Sequence, residues 1–305
     1  MGRPIDITLA TDPRYLKSKP GDRYVENVLL EDQLVASALE KLGLSVIRKA
    51  WDDPNFDWSS TRYVLFRAVW DYFERLERFK TWFHATANKT EFLNPKDLIL
   101  WNLDKHYLKD LRSKGIHIPK TIFLEPGSSD TLMDAIGKAK KIGVNSDEFV
   151  LKPCIGGGAR HTYRFHLTQW KKYQEILAGL LPQEGMMLQE FQKNILSKGE
   201  VSIMVIHGKV THAILKKAKS GDFRVQDDWG GTVAVHQPSE EEVAFAEAAI
   251  KACPQPPIYA RVDLFWDNEG AIALAELEIF EPELWFRFFP QASDTLALAI
   301  KNTYF

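Results

Sequence analysis

The chain has 305 residues, 45% of them apolar, and its 39 basic and 41 acidic residues nearly cancel. That is enough apolar material for a core shared by two or three domains, and too little net charge to gather nucleic acid or an anionic membrane. Two cysteines, Cys154 and Cys253, exclude a disulfide framework and argue against structural zinc, while no run of about 18 apolar residues or secretory leader is visible, so a cytoplasmic protein is expected.

In chain order, Ile5 to Ala10 predicts a strand, TDPRYLKSKPGD a polar loop, and the spacing of Leu34, Val35, Ala38, Leu39 and Leu42 a helix stopped at Gly43. Leu44 to Ile47 and Tyr63 to Phe66 read as further strands, giving a small α/β domain that reaches to about residue 85. Tyr107, Leu108 and Leu111 predict a helix between Asp104 and Gly115, and IHIPKTIFL a proline-bounded strand. Asp130 is placed to cap the helix TLMDAIGKAKKIG. The strand EFVLKP then delivers Lys152 to a loop containing Gly156, Gly157 and Gly158, whose amides can approach a phosphate because glycine has no Cβ. That loop fits neither GxxxxGK[ST] nor GxGxxG, and a glycine triplet alone is more often a mobile turn.

A helix is expected from Thr168, MLQEF puts Glu190 and Phe191 at a strand end, and Glu200 follows ten residues later. VSIMVI and VTHAIL form a hairpin around His207-Gly208-Lys209, and Ser239 with Glu242 makes a capping box. A last hairpin joins YARVDLFW to AIALAELEIF. A four-residue turn there pairs Phe265 with Ile272, sets Asp263 opposite Leu274 and Arg261 opposite Glu276, and leaves Asp263 and Glu276 as diagonal neighbours roughly 7 to 8 Å apart. Strand carboxylates commonly just face water. Here apolar residues occupy both faces, so the acids read as buried, and buried carboxylates need a cation or donors; oxygen-only ligands suit magnesium.

The order of Lys105, FVLKP with its glycine loop, QEF, GDFRVQDDWGG, RVD and LAELE, over roughly residues 104 to 300, resembles the ATP-grasp superfamily. The likeness is to the branch with glutathione synthetase, the RimK-type glutamate ligases and D-alanine–D-alanine ligase. It implies an α/β (α+β) ATP-grasp fold: a small N-terminal α/β substrate-side domain (1–85), a central lobe (86–188) and a C-terminal lobe with the metal site (189–305), the two lobes enclosing ATP. It further implies that Lys105, Lys152 and the glycine loop contact ATP phosphates, that Glu190 and Phe191 give backbone hydrogen bonds to adenine, and that Glu200 holds the ribose. Arg224, with Lys152, would serve catalysis by neutralising the transferred phosphoryl group. Asp263, Glu276 and Glu278 would bind Mg2+, usually two ions, with Mn2+ as a substitute. Many relatives carry asparagine where Glu278 stands, and a carboxylate still ligates magnesium.

ELEIFEP and FRAVWDYFERLERFKTW resemble a RimK-like subgroup that includes a cycloserine-pathway cyclo-ligase. This implies a small amino-acid-like substrate and even intramolecular amide formation. The expected activity is therefore ATP- and Mg-dependent carboxylate–amine or cyclo-ligation through an acyl phosphate, releasing ADP and phosphate. The alternatives are an ATP-binding regulator without turnover, and a kinase. Carboxylate and amine small molecules are the expected partners, and a homo-oligomer stays open. Candidate substrate residues are Arg67, Asp71, Arg261 and Arg287, since guanidinium matches carboxylate. The plainer reading pairs Arg67 with Asp71 at helical spacing, makes Arg261 a structural partner of Glu276, and leaves Trp70, Tyr72 and Trp82 as core aromatics.

Overall fold

Three sheets follow one another along the chain in a computed structural model that describes residues 3–219, 221–225 and 230–305. The first is parallel, built from β1 (Ile5–Thr11), β2 (Val46–Ala50), β3 (Thr61–Phe66) and β4 (Glu91–Leu93) in the order β2-β1-β3-β4, with α1 (Arg23–Lys41) and α2 (Leu76–Ala87) in the connections. Helix α1 begins directly after the expected polar loop, where Asp22 accepts the Val25 amide at 3.2 Å, and Val25 and Val28 already share its buried face. Gly43, at φ +79°, ends it as expected.

Helices α3 (Lys96–Leu103) and α4 (Tyr107–Ser113) lead into an antiparallel sheet of β5 (Thr121–Leu124), β6 (Glu148–Pro153), β7 (Tyr163–His166) and β8 (Met186–Glu190), ordered β5-β8-β6-β7. Helices α5 (Leu132–Lys141) and α6 (Trp170–Leu180) cover it through Ile136, Ala139, Tyr173 and Leu177. The α5 cap is Thr131, one residue beyond the expected Asp130. Its hydroxyl accepts the Asp134 amide at 3.1 Å, while Asp130 turns to Lys138 at 2.6 Å. The expected divisions at 85 and 188 fall inside α2 and β8.

After α7 (Asn194–Lys198) comes the third sheet: β9 (Glu200–Ile206), β10 (Lys209–Lys217), β11 (Thr232–His236), β12 (Tyr259–Trp266) and β13 (Ile272–Glu278), ordered β11-β10-β9-β12-β13. The β9–β10 turn is the two residues His207 and Gly208, both left-handed at φ +48° and +74°, the type I′ geometry that suits strand twist. Helix α8 (Glu240–Lys251) starts with the expected Ser239–Glu242 capping box, and α9 (Gln291–Tyr304) returns to pack on α1.

The β12–β13 register departs from expectation twice. The turn is one residue longer, because the Asp267 carboxylate accepts the amides of Glu269 and Ala271 at 3.0 and 2.9 Å; Trp266 therefore pairs with Ile272. An irregularity at Ala275 then shifts the ladder again, so Asp263 lies opposite Glu276 and Arg261 opposite Glu278. Ile272 and Leu274 thus join Leu264 and Val262 in the core, instead of sharing a face with the acids.

β13 is an edge strand whose outer backbone groups are met by side chains. Asn102 donates to Leu277 O at 2.7 Å and accepts from Ile279 N at 3.0 Å; Tyr107 Oη accepts from Leu277 N at 2.9 Å. Leu274 N donates to His117 O at 2.9 Å. Asn94 does similar work one step further, donating to Tyr259 O and Ile279 O at 2.9 and 2.8 Å.

Candidate active site

Cation and carboxylate side chains from β9, β10, β12 and β13 meet on one wall of a cavity of about 510 Å³. Asp263 takes a bidentate contact from Arg261 (Nε–Oδ1 2.9 Å, Nη2–Oδ2 2.8 Å), a hydrogen bond from Ser202 Oγ at 2.6 Å, and Lys216 Nζ at 3.5 Å. Arg261 also bonds Glu278, and Lys216 pairs with Glu200 at 2.6 Å. Burial would raise the Asp263 carboxyl, yet Arg261 and Lys216 carry it down to about 2.

Lys105 reaches the same wall from the turn before α4, with Nζ 2.9 Å from Glu276 and 2.7 Å from Gly156 O. Asp104 and His106 pin that turn: Asp104 Oδ1 accepts the His106 amide at 3.0 Å and lies 2.6 Å from its Nδ1. Lys152, next to the glycine loop, has no carboxylate within ion-pair distance among the described residues, and burial lowers its ammonium against the pull of Glu276. A Cβ at Gly157 would come 3.2 Å from the Phe73 ring, so a larger residue there would oblige that ring to shift by a few tenths of an ångström.

At the far end of the cavity the Phe191 ring carries the Arg164 guanidinium 3.8 Å above it and meets Phe223 edge-on at 6.0 Å. The Phe191 amide donates to Glu148 O at 2.9 Å, and its carbonyl accepts from Asn268 Nδ2 at 3.1 Å. The backbone polar groups of Phe191 expected to face adenine are therefore engaged by the protein. Glu190 O accepts from Gln192 Nε2 at 3.2 Å. Arg224 lines the cavity with Nη2 2.7 Å from Asp222, a pairing that holds the Asp222 carboxyl far below the usual range. Residues 226–229 of the GDFRVQDDWGG segment lie outside the described residues.

Lys105, Lys152, Gly156, Gly157, Gly158, Glu190, Phe191, Glu200, Arg224, Arg261, Asp263, Glu276 and Glu278 all line this one cavity; Arg67, Asp71 and Arg287 do not. Arg67 is buried below it, with Nη2 2.5 Å from Glu31 and Nε 3.2 Å from Asp32. Asp71 accepts from Trp51 Nε1 at 2.7 Å and pairs with Arg75, so no Arg67–Asp71 pair forms. Arg287 pairs with Glu283 and lies over the Trp285 ring at 4.2 Å. Arg261 is a partner of Asp263 and Glu278, while Glu276 belongs to Lys105. Tyr72 and Trp82 pack in the aromatic core around Phe66 and Phe79, but Trp70 reaches the cavity.

Sequence reasoning missed Lys216, Ser202, Trp70 and Glu281. Plain counting back from the β9–β10 turn would set Leu215 opposite Glu200; a one-residue irregularity between Val210 and His212 brings Lys216 there instead, and the sequence carries no sign of it. Trp70 and Glu281 come from irregular segments with no period to follow.

The donor set fits magnesium and nucleotide phosphates. Burial lifts Glu278 well above the usual carboxylate range against the pull of Arg261, helped by the negative charge of Glu276 and Asp263 beside it. Such crowding of hard oxygen donors suits a divalent cation, and the Lys152 ammonium, without a carboxylate partner among the described residues, suits a phosphate.

Comparison with known proteins accords with this arrangement. A model of the RimK-like ATP-grasp domain matches residues 111–279, more than half of the chain. The chain belongs to the RimK-like ATP-grasp family. A model of the N-terminal domain of D-cycloserine synthetase DcsG matches residues 7–94. The cycloserine biosynthesis protein DcsG of Streptomyces lavendulae is 28% identical over 266 residues, covering 82% of this chain and 86% of that protein. A probable alpha-L-glutamate ligase of Xanthomonas euvesicatoria pv. vesicatoria (strain 85-10) is 29% identical over 199 residues, covering 62% and 63%.

The crystal structure of D-cycloserine synthetase DcsG superimposes with a TM-score of 0.86 at 25% identity, over 97% of this chain and 98% of that one. D-alanine–D-alanine ligase from Bacillus anthracis complexed with ATP shares the fold, with a TM-score of 0.62 at 15% identity over 98% and 97%. The family's ATP-grasp fold, its ligase class and its use of ATP with a divalent metal therefore hold for this chain. No helix among the described residues is long and apolar enough to cross a membrane.

Proposed function

We propose that the chain joins a carboxylate to an amine on a small amino-acid-like substrate, intramolecular ring closure included, by way of an acyl phosphate. The observation that carries this reading is a single cavity running from Phe191, past two lysines and the acidic pair Asp263 and Glu276, to Tyr15 and Trp70 of the N-terminal part. A nucleotide and a small second substrate fit end to end in such a space, with the reacting groups at the lysine and carboxylate wall. We assign the first sheet to the substrate and the second and third to ATP. DcsG's name points to cycloserine biosynthesis, which motivates the cyclising variant.

Asp263, Glu276 and Glu278 would hold magnesium, and a Mg2+ titration would count the ions they bind. The metal, when bound, offsets charge on the phosphoryl oxygens. Lys152 and Lys105 orient the terminal phosphoryl group for attack by a substrate carboxylate oxygen, with ADP leaving. Arg224 neutralises the resulting acyl phosphate, the amine nitrogen attacks its carbonyl carbon, and phosphate departs while the nitrogen gives up its proton. The protein's contribution is positioning and charge stabilisation.

ADP and inorganic phosphate, measured separately with Mg-ATP and a panel of amino acids and dipeptides, test the reading. Ligation releases both, phosphotransfer only ADP, and a regulator neither. Asp263→Asn combined with Glu276→Gln is expected to lower ADP formation by at least about 100-fold, on the scale of losing a preorganised electrostatic group. Unchanged ADP formation in that variant sinks the metal assignment.

A further inference from the structure

Beyond β13 the chain enters an irregular stretch that lines the end of the cavity away from Phe191. Glu281 sits there, partly buried. Its carboxylate accepts from Trp70 Nε1 at 3.1 Å, and its backbone carbonyl accepts from the same indole at 2.9 Å. Asp263, Glu276 and Glu278 each have a lysine or arginine partner. Glu281 has none within ion-pair distance among the described residues. Trp70 belongs to an aromatic cluster, its ring centroid 5.7 Å from Tyr15 and 6.0 Å from Tyr24, and all three rings line the cavity.

A carboxylate with only neutral donors, beside indole and phenol rings, is the chemistry that binds an ammonium group: a charge-assisted hydrogen bond from one side and ring quadrupoles from the other. Arg261 and Lys105 act on Glu281 only from beyond ion-pair distance, so the cost of burying its carboxylate falls further when a ligand brings a cation into contact. Resting on the ligase reading above, we propose that Glu281 and Trp70 form a subsite for a protonated amine of the substrate, leaving the substrate's carboxylate to face Lys105 and Lys152. The substrate is then a cationic amine as well as a carboxylic acid, and the N-terminal part contributes recognition through an aromatic wall, not through Arg67.

The full chain, saturated with Mg-ADP, is titrated calorimetrically with D-cycloserine, D-serine and D-alanine and with the N-acetyl twin of each. Amine-bearing members are expected to bind about 10- to 100-fold more tightly than their twins, the value of one hydrogen bond to a charged group. Glu281→Gln is expected to remove that difference without changing Mg-ADP affinity or magnesium half-saturation. Trp70→Phe keeps a ring but removes the indole N–H, and is expected to weaken amine binding by a smaller factor. Equal binding of amines and acetylated twins, or no amine-dependent binding across the panel, overturns the proposal. So does a Glu281→Gln effect on magnesium half-saturation with the amine preference intact, which would make Glu281 a metal group. Phosphate release tests the ligase reading by itself, so the two can fail separately.

Discussion

Replacing Glu31 by glutamine tests how the cavity wall is held. The two Glu31 oxygens serve three donors: Arg67 Nη2 at 2.5 Å and Leu284 N at 2.6 Å on Oε1, and Phe286 N at 3.3 Å on Oε2. Those amides flank Trp285, which lines the cavity in a left-handed conformation at φ +56° that a bulky residue adopts only when its surroundings impose it. Glutamine keeps one acceptor and turns the other into a donor, so at least one buried N–H faces another. That costs about 1–3 kcal/mol, and Arg67 also loses its nearer counter-charge, so about 3 kcal/mol in total is expected. Arg67→Met should cost a similar amount. The double variant should lose about 1–3 kcal/mol less than the sum, because each single change strands the other partner. Urea unfolding followed by fluorescence reads these values from the midpoint at constant m. A Glu31→Gln loss below about 0.5 kcal/mol, or strict additivity with Arg67→Met, refutes the reasoning.

His212 is buried, with Nε2 2.8 Å from Leu284 O, and burial lowers it from 6.5 to about 4. Since the unfolded chain binds this proton more readily, stability should fall as pH drops from 6.5 towards 4, by about 2 kcal/mol between pH 7 and pH 5. His212→Gln keeps a donor for Leu284 O and should flatten that slope in urea midpoints; an unchanged slope assigns it to other groups. Gly199 has φ +84°, and a Cβ there would lie 2.4 Å from Lys216 O. Gly199→Ala should therefore cost at least about 2 kcal/mol and raise the KM for Mg-ATP by displacing Lys216 and Glu200, whereas a neutral result would mean that the turn relaxes freely.

What could be read from the residues alone had a period or a fixed spacing behind it. Period-two alternation put Arg261, Asp263, Glu276 and Glu278 on one wall, and EFVLKP placed Lys152 beside its glycine loop. The two errors in the hairpin register came from a turn lengthened by Asp267 and an irregularity at Ala275, neither of which leaves a mark in an apolar pattern. Being one residue each, they add to a two-residue shift on the acidic stretch, which keeps the acids on their expected face but changes their partners, while the single-residue shift at Ile272 and Leu274 moves those two to the other face. Arg67 and Asp71 misled because a charged residue in an aromatic-rich segment looks the same whether it faces a ligand or a partner within the protein, here Glu31 and Asp32 for Arg67 and Trp51 and Arg75 for Asp71. Trp70 and Glu281 meet across 211 residues of sequence, a distance over which no local rule operates.

The side chains that cover the outer rim of β13 bear on more than local order. An acidic strand at the margin of a sheet is open to recruitment by a foreign strand, which would pull Glu276 and Glu278 out of alignment with Asp263. Asn102 and Tyr107 occupy the hydrogen-bonding positions that an intruding strand would need, and they do so from the same connection that presents Lys105. Protection against aggregation and assembly of the phosphate site therefore depend on one short stretch of chain, and a change at Asn102 would compromise both together.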